Sequence, residues 1–116
     1  MASLLVILSS PPYGNSAAAE GIDFALAATN YGHEVAVLIE GDGVWQLQHN
    51  QHTEKGVKNI EKRLKSLALF DVEPCYVCSE SLAANRVTHN PDSEFKLIST
   101  SDKLALFART DHVVRF

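Results

Sequence analysis

The chain has 116 residues, 46% of them hydrophobic and 21% charged, with a formal net charge of −4. That composition suits one globular domain with its own core, residues 1–116, and excludes a disordered chain. No apolar run reaches the roughly 18 residues of a membrane span. Residues 4–8, with no Lys or Arg before them, are too short for a signal-peptide core.

Strand and helix signals alternate along the chain. Residues 3–8 are apolar after Ser3, as in a central parallel strand buried on both faces. The loop at residues 9–16 ends in Ser16, a good N-cap for a helix over residues 17–28, and Gly32 lies just past that helix. A second strand is expected at residues 34–39. Gly41-Asp42-Gly43 then turns the chain into residues 44–47, a short helix or a lid.

The next helix begins near Thr53 or Glu54, where Val57, Ile60, Leu64 and Leu67 make one apolar stripe. Glu54 with Lys58, and Glu61 with Lys65, support it as i,i+4 pairs. Strand three is expected over residues 72–78 and a helix over 79–85. Residues 95–98 read as a strand, 102–108 as a helix and 112–115 as a closing strand. The sum is a doubly wound, parallel, five-stranded α/β sheet.

Charge and apolarity are unevenly spread. Residues 1–54 hold six acids and no Lys or Arg, whereas residues 55–116 hold ten basic and eight acidic side chains. The basic run Lys55, Lys58, Lys62, Arg63 and Lys65 is either a solvated helix face or a patch steering an acidic partner or nucleic acid. The first helix is apolar almost all round, which predicts that a second subunit covers the side its own sheet leaves open, making the protein an obligate oligomer, with an Ala-rich surface helix as the alternative.

Both cysteines lie in one stretch. Cys75 and Cys78 have the spacing of a redox or zinc pair, but residues three apart in a strand point to opposite faces. Their Cα atoms would then be about 10 Å apart, beyond disulfide reach. His89 is close in sequence, but no second ligand pair has zinc spacing, and His33, His49, His52 and His112 are scattered. With only these two cysteines, a reducing compartment, the cytoplasm, is expected. Cys75 reads as a core residue. Cys78 ends a strand and precedes a helix, where open α/β sheets hold reacting groups and where a helix N-terminus favours a thiolate. Cys78 is therefore the one candidate catalytic residue, with inert burial as its alternative. The Gly14-Asn15-Ser16 turn is a conceivable phosphate or flavin-phosphate cradle without a nucleotide fingerprint, and Asp42 reads as a turn residue. No cofactor, metal or nucleophile–base pair is expected.

Four segments resemble one known family. Ser9-Ser10-Pro11-Pro12-Tyr13-Gly14 with Glu20-Gly21-Ile22-Asp23 looks like the opening of the TusC and DsrF branch of the DsrE/DsrF-like family. Residues 41–47 (GDGVWQL) match its DGV(F/W)QL segment, residues 67–78 (LALFDVEPCYVC) its LGLYDIEQCWVC type of stretch, and residues 113–116 (VVRF) its ILRF ending. The resemblance covers nearly the whole chain. It implies a three-layer, flavodoxin-like sheet and a heterohexamer with TusB-like and TusD-like subunits. Such a complex passes persulfide sulfur from a TusA-like donor to a TusE-like acceptor, for 2-thiolation of the tRNA wobble uridine. The related DsrE, DsrF and DsrH complex serves dissimilatory sulfur metabolism. The family's carrier cysteine belongs chiefly to the TusD or DsrE subunit, so the resemblance implies a structural, non-catalytic subunit here, with Cys78 as direct persulfide carrier the alternative. A flavin-binding module is a third reading. Asn85-Arg86-Val87 departs from the Arg and Gly common in relatives. Neither membrane nor direct nucleic-acid binding is expected.

Overall fold

A computed structural model describes residues 2–13, 16–47, 60–89 and 93–116, with the backbone alone for Glu61. Five strands form one parallel sheet: β1 (Ser3–Leu8), β2 (Glu34–Ile39), β3 (Cys75–Cys78), β4 (Lys96–Ile98) and β5 (His112–Arg115), in the order β4-β3-β2-β1-β5. Among the described residues, four helices connect them: α1 (Ala17–Asn30), α2 (Ile60–Leu69), α3 (Ser79–Asn85) and α4 (Thr100–Ala108). A 3₁₀ segment, Gly41–Leu47, follows β2.

This order fixes the layers. Strands β1 to β4 are laid down in one direction across the sheet, and β5 returns past all of them to pair with β1. Right-handed crossovers then put the first three helices on one face and α4 on the other. The packing agrees: Val6, Leu8, Val37, Ile39, Cys75 and Val77 meet α1, α2 and Leu82 of α3 in one cluster. Leu5, Ile7, Leu38 and Ile98 meet Leu106 and Phe107 of α4 in the other. Because β1 and β2 have a neighbour on both edges and helices on both faces, their sequences are continuously apolar rather than alternating.

Several boundaries differ from the sequence expectation for local reasons. β3 starts at Cys75 rather than Val72, because Val72 N–H still bonds Leu67 O at the end of α2 and Asp71 sits at φ 65°. Pro74 has no N–H to give the ladder and contributes only its carbonyl, to Val37 N–H. α1 runs on to Asn30, and α4 begins at Thr100, with Ser99 capping Asp102 N–H at 3.3 Å. β4 begins at Lys96, one residue later than expected. Ser16 holds the N-cap position of α1 but does not cap it: its hydroxyl donates to Glu20 Oε1 at 2.7 Å.

The second side of α1 is partly covered within the chain. Phe116 packs against Phe24 with ring centroids 5.4 Å apart, and Arg63 of α2 pairs with Asp23. Thr53, Glu54, Val57 and the Glu54–Lys58 pair lie outside the described residues, as do Lys55, His49 and His52.

Candidate functional site

All five strands are parallel, so their carboxyl ends share one edge. β3 feeds α3 on one face of the sheet and its neighbour β4 feeds α4 on the other, which makes the β3–β4 boundary a topological switch point. Cys78 sits there. It is the last residue of β3 and the N-cap of α3, with no side-chain capping bond, and it is 2% exposed. The thiol stands at the strand end, where the sequence pattern puts it, but the structure buries it.

Three charged side chains converge beside it. Glu40, the residue after β2, accepts from Lys103 Nζ of α4 at 2.9 Å and from an Arg115 guanidinium nitrogen at the end of β5 at 3.0 Å. The Glu40 and Lys103 side chains are only 13% and 17% exposed, whereas Arg115 is 57% exposed. The hydrogen bond to Glu40, the Glu40 charge and the neighbouring Cys78 and Glu80 raise the Lys103 ammonium's pKa against the opposing effect of burial. Lys103 therefore stays charged. α3 is tied to the same edge: Thr100 Oγ1 donates to Glu80 Oε1 at 2.6 Å and Ser79 Oγ to Ile98 O at 3.3 Å. On the other flank, Gly41 N–H donates to Ser81 Oγ at 2.9 Å and Trp45 Nε1 to Asn85 Oδ1 at 3.2 Å, locking the 3₁₀ segment to α3.

Cys75 has a different fate. It faces the α1 and α2 side, its thiol donates to Val72 O at 3.3 Å, and burial, with Glu94 and Glu73 adding, pushes its pKa up to about 12. Such a thiol is neutral and inert at physiological pH. Both cysteines are free. His89 bonds Phe95 O at 2.9 Å. Among the described residues no group of three or more His, Cys, Asp or Glu is disposed to hold a metal. Gly14 and Asn15 of the conceivable phosphate turn lie outside the described residues, and Asp42 is exposed in the 3₁₀ segment.

The family model for the DsrE/DsrF-like family matches residues 2–116. The chain belongs to the DsrE/DsrF-like family. Within it, the chain is 41% identical to a protein TusC homolog of Vibrio parahaemolyticus, over 72% of this chain and 71% of that one. It is 32% identical to a protein TusC homolog of Pasteurella multocida, covering 97% and 98% of the two chains. Protein TusC of Escherichia fergusonii is 31% identical with both chains fully covered. The crystal structure of the ychN protein from E. coli superposes with a TM-score of 0.86 over 100% of both chains, at 18% identity, and shows the shared fold. The TusC and DsrF resemblance read from four motifs and the doubly wound parallel sheet both hold.

Sequence reasoning missed Glu40, Lys103 and Arg115. One signal was available: Glu40 follows a buried strand directly, one position past the Ile39–Val77 pair, and Cys78 stands one position past it too, so both project from the same edge.

Proposed function

We propose that this chain is a TusC-type subunit of a cytoplasmic sulfur-relay complex, acting as a single domain over residues 1–116. It assembles with TusB-like and TusD-like subunits in a heterohexamer. The complex takes persulfide sulfur from a TusA-like donor and yields it to a TusE-like acceptor, for 2-thiolation of the tRNA wobble uridine. The role of this chain is structural and positioning, and the sulfur is carried by a partner. End-to-end likeness to proteins named TusC supports the pathway. The observation that carries the scaffold role is Cys78 itself: at 2% exposure the thiol has no open path to a donor.

A second reading is favoured by one observation, the position of Cys78 at the switch point with a charged Lys103 at hand. In it the Cys78 thiolate attacks the outer sulfur of a donor persulfide. A new sulfur–sulfur bond forms on Cys78, the donor's bond breaks, and the donor leaves as a thiolate.

Intact-mass spectrometry of the co-expressed complex after incubation with a persulfide donor separates the two. The scaffold role predicts added sulfur on a partner only, and normal assembly and tRNA thiolation by Cys78→Ser. Added sulfur on this chain, lost in Cys78→Ser together with thiolation, overturns it in favour of the carrier.

A further inference from the structure

The Lys103 side chain spans the end of β3. α4 leaves the sheet from β4, on one flank of β3, and Lys103 in its first turn reaches Glu40 beyond β2, on the other flank, at 2.9 Å. Cys78 lies between them. It is in register with Ile98 of β4, and it follows the Ile39–Val77 pair by one position, as Glu40 does. Ile39 and Val77 both face α1 and α2, so alternation turns Glu40 and Cys78 toward α4. Neighbouring strands are about 4.8 Å apart, so the thiol, the carboxylate and the ammonium share one small volume. Arg115 holds the other Glu40 oxygen at 3.0 Å, and the Thr100–Glu80 bond at 2.6 Å pins the start of α4 to α3. Polar ties at the Cys78 end of the sheet thus join four elements, whereas Cys75 lies in the apolar cluster on the opposite face.

We propose that the Lys103–Glu40 ion pair is a strap closing the Cys78 end of the sheet, so that solutes and partners reach this thiol only when the strap opens. The strap acts locally. Releasing it uncovers the carboxyl edge of β3 while leaving the α1 and α2 side, and Cys75 with it, packed. This inference stands apart from the sulfur-relay reading, since a chain that never carries sulfur would respond in the same way.

Time-resolved labelling of the full chain with iodoacetamide, localised by tandem mass spectrometry, tests it with Cys75 as the internal reference. Glu40→Gln removes the charge and keeps the side-chain shape. The expected result is labelling of Cys78 at least about tenfold faster than in the wild type, with Cys75 unchanged. Equal acceleration of both thiols would mean general loosening and overturns the strap, as does no acceleration at all. Should Glu40→Gln fail to fold, Lys103→Met, which cuts the strap at its other end and keeps the length of the side chain, decides the question. The Cys78-to-Cys75 labelling ratio must rise in Lys103→Met, and an unchanged ratio overturns the proposal.

Discussion

Cys75 and Cys78 are three positions apart, yet the pleat sends them into different surroundings. Cys75 is held neutral by burial, with a pKa pushed up to about 12 in the folded chain from an ordinary value of 9.0. A thiol whose folded pKa is raised binds its proton more tightly in the native state than in the unfolded one. Its contribution is therefore fully present below about pH 9 and falls away as pH rises toward about 12. The wild type should lose thermal stability between about pH 9 and pH 11 more steeply than Cys75→Ala, measured as melting temperature against pH. Parallel curves would show that Cys75 does not titrate with unfolding. The location of Cys78 was legible in the sequence because strand ends and helix starts are local patterns. Its cover was not, since Glu40 and Lys103 are 63 positions apart and only the sheet order brings them together.

Among the elements, the 3₁₀ segment Gly41–Leu47 depends on an approach that only glycine allows. A Cβ on Gly43 would stand 2.0 Å from the carbonyl oxygen of Leu8, a backbone atom of β1 held between two neighbouring strands. A Cβ on Gly21 would meet Leu8 Cδ2 at 2.5 Å and Phe116 Cβ at 3.0 Å, contacts with side chains that can adjust. Overpacking of this kind costs about 1–3 kcal/mol, occasionally more. Gly43→Ala is expected at or above the top of that range and Gly21→Ala nearer the bottom, with chemical denaturation reading both. A smaller loss for Gly43→Ala than for Gly21→Ala would contradict the geometry. Most element types were readable from periodicity and punctuation, including β1, β2, α3 and β5. The start of β3 was not. Nothing local in Val72-Glu73-Pro74 says that Val72 closes the preceding helix instead of opening the strand. The failed cap at Ser16 was not legible either: its backbone sits at φ −93°, ψ 0° instead of the extended conformation of a capping residue, and its hydroxyl donates to Glu20.

For the whole molecule, the continuous apolarity of β1 and β2 anticipated a sheet covered on both faces, and the layers follow from strand order and crossover hand. The all-round apolarity of α1 is a weaker guide. Phe116 and the Arg63–Asp23 pair cover part of its outer side, while Phe24 and Tyr31 remain exposed, as do Leu104 on α4 and Val113 on β5. The isolated chain is still expected to associate, and light scattering coupled to size exclusion should give a mass above that of one chain. A monodisperse monomer would remove the case for obligate oligomerisation.

β5 pairs with β1, and Ser3 and Asp111, 108 positions apart, exchange hydrogen bonds at that seam. During synthesis β1 therefore leaves the ribosome well before the strand it pairs with. Until His112–Arg115 arrives, one edge of β1 has no neighbour, and its most apolar residues are open to pairing with another chain. Of the four pairings in the sheet, β1–β5 joins the strands farthest apart in sequence, so it is the last of them to close during synthesis.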